Sequence, residues 1–427
     1  MLLMICYNPV IMKYAIPRGT KDILPDEIGL WQQIEATARQ IFALYNYKEI
    51  RTPIFESTEL FTRSIGQTTD IVSKEMYEFK DRKGRSLTLR PEETAPVVRA
   101  ALENNLISAD NVTKLYYIGP MFRYERPQAG RQRQFHQIGV EVFGPRSASL
   151  DAEVILLNLE FFKAIGLVDL KINLNSVGCS KCRPKYTKDL QEHFKENIKN
   201  MCDDCRTRFE HNPLRILDCK NANCQQTIEA APASINTLCP ECRDHLNELM
   251  KFLKIAGVEY VINNRLVRGL DYYTKTTFEI TSDSLGAQNA ISGGGRYDNL
   301  VEQLGGKSIP AVGFAVGLER IVELMTKDET RMMKDGAISL YIAVMGEQGE
   351  EKGFELLKEV RSAGIAAEMD YLGKSLKAQL KVADKLGAKY VYIIGEEEIN
   401  KKSGILKTMA TSEQREVKFD LLKEALK

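Results

Sequence analysis

Eight of the nine cysteines fall between Cys179 and Cys242, a window of 64 residues in a chain of 427. Cys179/Cys182, Cys202/Cys205 and Cys239/Cys242 are Cys-x-x-Cys pairs, and Cys219/Cys224 is slightly wider. A small secreted chain spreads its cysteines over the fold as disulfide staples. Crowding of this kind predicts a local metal site instead, with thiolates bound to zinc. The alternative is a set of buried, reduced thiols. Four pairs supply enough ligands for two tetrahedral Cys₄ sites, or for one site with spares, and the spacing leaves both open. The window also constrains the fold. Residues 177–255 are mostly polar and helix-patterned, whereas strand patterns run before them and resume after them, so the segment reads as an insertion into a sheet domain.

Ahead of the insertion, residues 13–170 read as α/β. Pro25-Asp26-Glu27 suits a first helical turn, and Leu30, Ile34, Ala38, Ile41 and Phe42 repeat at core-facing spacing over about 26–45. KEIRTPIF, EMYEFKD, SLTLRP, TKLYYIGPMFRYER and QFHQIGVEVFG are short candidate strands with hairpin-length connections, which favours a largely antiparallel sheet. The strand LKINLNSVG leads into the insertion. VEYVINN, TKTTFEIT and NAISGGGRYD follow it, and GFAVGLERIVELM is expected as a terminal helix. The polar run TKDETRMMKDG contains a linker at 331–336. Beyond it, residues 337–427 alternate β-α-β-α-β, the pattern of a small, parallel-type α/β domain.

Composition narrows the function. A net charge of +1 excludes a global cationic field, so any nucleic acid must be held by local patches. No apolar run approaches the roughly 18 residues of a membrane-spanning helix, so no membrane association is expected. Residues 1–12 are apolar but carry no basic residue ahead of Lys13 and no small-residue cleavage site, and are expected to be a loose extension of a cytoplasmic protein.

Four segments concentrate polar chemistry. GPMFRYERPQAGRQRQFHQIGVEVFG, 119–144, places Arg123, Arg126, Arg131 and Arg133 around a Pro-Gly loop, with Gln137 and Glu141 on one strand face. Guanidinium forks on a hairpin suit phosphate or carboxylate, although an edge hairpin also uses Arg for solubility. In LVRGLDYYT, Arg268-Gly269 permits close approach of a charged group beside Tyr272 and Tyr273. SGGGRYDNL offers three glycines before a helix, either a phosphate cradle or a place of tight backbone packing. AVGLERIVELM carries Arg320, which by itself reads as an ordinary surface arginine.

In their order and wording these segments resemble the bacterial-type histidyl-tRNA synthetase family of class II aminoacyl-tRNA synthetases. FRYERPQAGRQRQFHQ resembles the second class II motif, AVGLERIVELM the third, and ELFTRSIGQTTDIVSKEMYEF, 59–79, the first-motif region that forms the dimer interface. LVRGLDYYT and SGGGRYDNL resemble two peptides peculiar to the histidine enzymes. The resemblance implies an α/β multidomain protein with a class II antiparallel-sheet catalytic core over 13–330, interrupted by a mainly helical, cysteine-rich insertion at about 177–255. An α/β anticodon-binding domain would follow at 337–427.

It also implies a histidine–tRNA ligase, a cytoplasmic homodimer using ATP and Mg²⁺ to join L-histidine to tRNA(His). Position by position, Arg123, Arg131, Phe135 and Arg320 would contact ATP, with adenine stacked on Phe135. Glu92, Thr94, Gln137, Glu141, Arg268, Tyr272, Tyr273 and Tyr297 would line the histidine site. Arg268 and Arg123 would act on the reacting groups. One departure stands out: Glu93 occupies a place where the family commonly has Gly. The alternative reading is a non-catalytic, synthetase-like regulatory subunit of ATP phosphoribosyltransferase, which is expected to lack the active-site arginines and the anticodon domain.

Overall fold

The computed structural model describes residues 14–66, 69–127, 131–326 and 338–426. The expected extension at 1–12 and linker at 331–336 lie outside the described residues. The chain divides into two compact units, Met1–Met332 and Met333–Lys427. Among the described residues no helix is long and apolar enough to cross a membrane.

In chain order, the strands of the first unit are β1 (Lys48–Glu49), β2 (Phe55–Ser57), β3 (Tyr77–Lys80), β4 (Ser86–Leu89), β5 (Thr113–Phe122), β6 (Gln134–Phe143), β7 (Lys171–Ser176), β8 (Val261–Ile262), β9 (Thr274–Thr281), β10 (Ala290–Arg296) and β11 (Ala311–Gly317). Eight of them form one sheet in the order β1-β5-β6-β11-β10-β9-β7-β8. Only the end pairs β1/β5 and β7/β8 are parallel. The other neighbours are antiparallel, as the short connections predict. β2, β4 and β3 make a small antiparallel sheet of their own.

A period of two sorts the two faces of the large sheet. Ile138, Val140, Val142, Phe278, Val312, Phe314 and Val316 point into the main core. Against that face pack the helix Pro25–Leu44, through Trp31, Ile34, Ala38 and Phe42, and the helix Ala148–Ala164. The opposite face carries Gln137, Gly139 and Glu141 of β6 beside Gly317, Ala315 and Gly313 of β11, then Gly293 and Gly295 of β10 beside Glu279 and Thr277 of β9. Over β9, β10 and β11 this second face is polar and nearly free of bulk, whereas Leu115, Tyr117, Met121 and Phe143 of β5 and β6 build a second core on it.

Two sequence expectations are corrected here. GFAVG is the strand β11, not the start of a helix, because Val312, Phe314 and Val316 alternate with small residues; the helix begins at Leu318 and ends at Thr326. The glycines of SGGGRYDNL lie inside β10 and are paired on both sides, so they do not form a loop ahead of a helix.

The inserted segment contributes the helices Arg183–Lys195, Asp203–His211, Ala222–Glu229 and Pro240–Ile255. The last buries Leu246, Leu249 and Leu253 in the main core. A separate small core of Tyr186, Leu190, Phe194, Ile216 and Ile228 lies within the insertion.

The second unit has five strands: β12 (Leu340–Val344), β13 (Ala367–Met369), β14 (Tyr390–Ile394), β15 (Ser403–Thr408) and β16 (Gln414–Lys418), in the order β13-β12-β14-β15-β16. The first three are parallel, with the helices Glu347–Ser362 and Leu376–Lys385 between them. β15 and β16 extend the sheet antiparallel. Their polar alternation, GILKT and QREVK, gave them little sequence signal.

Candidate active site

The bare face of the large sheet is ringed by the residues that the sequence singled out. Glu141 lies on β6 and is buried. One of its oxygens accepts from the Thr94 hydroxyl at 2.7 Å, and the other from the Tyr297 hydroxyl. Burial pushes its carboxyl up to about 8, with Glu92 and Glu93 adding to the rise and the two hydroxyl donors opposing it. Thr94 opens the helix Thr94–Glu103, so its side chain is fixed by the helix start. Glu92 caps the same helix end, accepting from the amides of Thr94 at 2.7 Å and Ala95 at 3.0 Å. Burial raises its pKa as well, against the pull of those amides.

Tyr272, Tyr273 and Tyr297 complete the wall. Their ring centroids lie 4.8 Å apart for Tyr272–Tyr273, 5.5 Å for Tyr272–Tyr297 and 6.5 Å for Tyr273–Tyr297. Gln137 shares the Glu141 face, and its Oε1 is buried without a hydrogen-bond partner among the described residues. An unsatisfied buried acceptor costs about 1–3 kcal/mol. Retained in a ring of carboxylates and phenols, it marks a place for a donor brought in by a ligand.

Arg268 spans two strands. Its Nη1 donates to Glu279 on β9 at 2.6 Å, and its Nη2 lies so close to β10 that a Cβ on Gly293 would stand 1.9 Å away. Its Nε is buried and has no partner among the described residues. Gly293 therefore exists to let the guanidinium lie on the backbone.

Three further arginines gather nearby. Arg123 donates from Nε to the Pro91 carbonyl at 2.8 Å, and its guanidinium lies 5.1 Å from the centroid of the Phe135 ring. Arg131 pairs with Glu125 at 3.2 Å. Arg320 donates to the Ala290 carbonyl, while its neighbour Glu319 holds the His136 amide at 2.9 Å. Burial lowers the Arg320 pKa, and repulsion from Arg131 and Arg268 adds to that, offset by Glu279 and Glu125. A cation gathered against two others is a place prepared for an anion. Arg133 serves the hairpin itself, stacked 3.9 Å over Tyr124, whereas the side chain of Arg126 is exposed.

Glu93 points away from this ring. Its carboxylate takes Arg90 at 2.9 Å and the Thr52 hydroxyl at 2.7 Å. Burial nonetheless raises it to about 8. The extra acid that the sequence puts beside Glu92 is thus held by Arg90 and Thr52 and, raised to about 8, adds little negative charge at neutral pH. Glu279 escaped the sequence reading, and of the two readings left open for the glycines of SGGGRYDNL, close packing is the one seen at Gly293. The signal for Glu279 was the alternation of TFEI and GGG in register, visible only once β9 and β10 are paired.

The cysteines resolve into two groups of four. Cys179, Cys182, Cys239 and Cys242 form one, and Cys202, Cys205, Cys219 and Cys224 the other. Within each group all four sulfurs lie within 4.8 Å of one another. Sγ–Sγ distances are 3.9 Å for Cys179–Cys182, 3.7 Å for Cys179–Cys239, 3.8 Å for Cys182–Cys242 and 3.7 Å for Cys202–Cys219. Thiolates about 2.3 Å from a tetrahedral zinc are separated by about 3.8 Å, whereas a disulfide requires about 2.05 Å. The donor set fits zinc.

The mostly antiparallel sheet, the arginine hairpin of β5 and β6 and the β11–helix unit define a class II aminoacyl-tRNA synthetase. Residues 19–321 match the histidyl-tRNA synthetase family model, and residues 339–427 match that of an anticodon binding domain. The chain is 53% identical to a histidine–tRNA ligase of Desulforamulus reducens, over 94% of this chain and 96% of that protein. It is 52% identical to one from Halothermothrix orenii, covering 95% and 97%. Its fold matches the crystal structure of apo histidyl-tRNA synthetase from S. aureus with a TM-score of 0.80 at 38% identity, over 97% and 99% of the two chains. The chain belongs to the histidyl-tRNA synthetase family. A structure described as an ATP phosphoribosyltransferase regulatory subunit/histidyl-tRNA synthetase matches at a TM-score of 0.64 and 23% identity, a likeness of fold alone.

Proposed function

We propose that this chain is a histidine–tRNA ligase that activates L-histidine with ATP and transfers it to the 3′ end of tRNA(His). The observation that carries the reading is the meeting of a buried carboxylate–phenol cluster on the large sheet with Arg123, Arg131, Arg268 and Arg320 gathered beside it. ATP enters as its Mg²⁺ complex, with adenine stacked on Phe135 and phosphates between Arg123, Arg131 and Arg320. The histidine side chain lies among Glu92, Thr94, Gln137, Glu141, Tyr272, Tyr273 and Tyr297.

The amino-acid carboxylate attacks the α-phosphorus, and pyrophosphate leaves from the opposite side. Two anions must meet in line, so the chemistry needs positioning and charge neutralisation, not a covalent nucleophile. Arg268 and Arg123 supply that charge at the α-phosphate from fixed positions. A tRNA 3′-terminal hydroxyl then attacks the carbonyl of histidyl-adenylate, and AMP leaves. Polar groups that pair only with an imidazole would discriminate against analogues by about 10⁴–10⁵ without an editing site.

The C-terminal unit holds the anticodon arm, and the two cysteine groups hold structural zinc. The enzyme works as a cytoplasmic homodimer. In support of a dimer, Phe55 and Phe79 meet edge to face on the small sheet, with ring centroids 6.2 Å apart, and are about half exposed, at 51% and 43%. Histidine-dependent ATP–pyrophosphate exchange tests the assignment. Exchange stimulated by histidine alone among the amino acids is expected; a folded chain with none would overturn it.

A further inference from the structure

The cysteine groups do more than staple the insertion. Each lies next to side chains that reach the segment bearing Arg268, Tyr272 and Tyr273.

The first group follows β7 directly and continues at the start of the helix Pro240–Ile255. Gly178 stands at φ +70°, and a Cβ there would lie 2.7 Å from Cys182 Sγ, so the knuckle admits only glycine. The Gly178 carbonyl accepts from the Lys275 amide at 2.8 Å, and the Lys275 carbonyl accepts from the Val177 amide at 2.9 Å. Arg183, next to Cys182, donates to the Tyr273 carbonyl. Glu241, between Cys239 and Cys242, pairs with the buried Lys275 ammonium at 2.9 Å. The knuckle thus grips residues 273–275.

The second group closes the stretch 206–218 at its base. Arg215 donates to the Arg268 carbonyl at 2.9 Å, and Asn212 to the Asp271 carboxylate at 3.0 Å. Arg208 meets Asp70 at 2.8 Å, next to the 59–66 segment whose Ile65 carbonyl accepts from the Asp271 amide at 3.1 Å. These contacts grip residues 268–271. Their own support is the small core of the insertion, too little apolar surface to be rigid without a metal.

We propose that the two zinc knuckles brace the 268–275 segment from its two ends, so that metal occupancy sets histidine binding and leaves ATP binding largely alone. The proposal rests on the zinc reading above. Arg183, Asn212 and Arg215 are its positioning residues. The arginines that hold the nucleotide are anchored elsewhere, because Arg123, Arg131 and Arg320 bond to Pro91, Glu125 and Ala290, and Arg268 is the one phosphate-side group that the brace carries, so a loosened brace lowers turnover rather than the affinity for ATP.

Full-length protein purified under reducing conditions should contain two zinc ions per chain by mass spectrometry. Replacing both Cys202 and Cys219 by Ser should leave one zinc and raise the KM for histidine in pyrophosphate exchange about tenfold, with the KM for ATP within about twofold. Arg215→Met should do the same with both zinc ions retained, and Arg215→Lys should restore part of the loss. Should the cysteine variant not fold, the Arg215 pair and Asn212→Ala decide alone. Two zinc ions with an unchanged histidine KM in Arg215→Met would overturn the brace while leaving the zinc sites standing. Less than one zinc per chain would remove the metal from the account, whatever the Arg215 variants do. Equal rises in both KM values would show general loosening and also overturn it.

Discussion

Glu279 holds the guanidinium of Arg268 at 2.6 Å, reaching from a strand position directly opposite Gly293, on which that guanidinium rests. The charge is fixed before any substrate arrives. A donor placed in advance at a developing negative charge typically contributes about 10²–10³ in rate. Arg268→Ala should therefore lower histidine-dependent exchange by that order, with a smaller change in the histidine KM. Arg268→His should be nearly as poor, since a mostly neutral imidazole cannot present the same fork. Single-turnover transfer from preformed adenylate should suffer less. Exchange within a few fold of wild type in Arg268→Ala would refute the assignment.

Gly293→Ala tests placement without touching charge. The backbone there is ordinary β, so the strand should still form, but the new methyl takes the space of Nη2 at 1.9 Å. Adenylation should fall by about tenfold or more while thermal stability changes little. Normal exchange in this variant would mean that the guanidinium works from another position.

Histidine affinity should depend on Glu141 and Tyr297. Glu141→Gln keeps the shape of the pocket and, because the carboxyl is raised to about 8 and so mostly protonated at pH 7, exchanges one neutral partner for another with different donors, a change worth about 0.5–1.5 kcal/mol, or roughly 2–10-fold in the histidine KM. Tyr297→Phe, which removes a donor to that carboxylate, should act in the same direction and more weakly. Equilibrium dialysis with labelled histidine checks both, and equal binding by Glu141→Gln would exclude contact with the substrate.

Truncation within 327–337 should spare pyrophosphate exchange and weaken aminoacylation, because the second unit has its own sheet and core. Loss of one of two linked binding surfaces should raise the KM for tRNA by about 10²-fold. Unchanged aminoacylation at ordinary tRNA concentrations would show that the C-terminal unit does not hold tRNA.

Asp151 is fully buried and receives Arg296, His245 at 2.7 Å and Thr276 at 2.6 Å. Burial by itself would raise its carboxyl, but Arg296 and His245 outweigh that and hold it at about 2, below the ordinary 3.8. An acid shifted downwards by folding stabilises the protein above pH 3.8, and the gain is lost as pH falls through about 2. The shift corresponds to about 2 kcal/mol at neutral pH. Asp151→Asn should cost about 3–5 kcal/mol at pH 7 by leaving Arg296 unpaired. Its deficit relative to wild type should shrink by about 2 kcal/mol between pH 5 and pH 2 in denaturant titrations. A deficit independent of pH would contradict the network.

Much of this site was legible in the chain, and the reason differs by residue. Gln137 and Glu141 sit on the long strand β6, whose alternation announces both strand and face, and Arg123 follows directly on the end of β5. Arg268, Tyr272 and Tyr273 lie in a segment with little regular structure, and wording carried them more than periodicity did. Glu279 was invisible because its importance comes from its cross-strand neighbour, and pairing is a long-range fact. β11 was misread because a strand that alternates Val and Phe with Gly and Ala also fits a helical repeat over so short a run. Cysteine spacing announced a candidate metal site but not which pairs combine, since Cys179 and Cys239 are sixty positions apart and meet only through the fold.

A floor made of Gly293, Gly295, Gly313 and Gly317 beside Ala315 can be raised by substitution but hardly lowered, since the Ala315 methyl is all that is left on it to remove. Redesign toward a bulkier amino acid must therefore come from the walls, by trimming Tyr272, Tyr273 or Tyr297, while every change at the floor glycines can only shrink the range of substrates. The enzyme's freedom to acquire new specificity runs sideways.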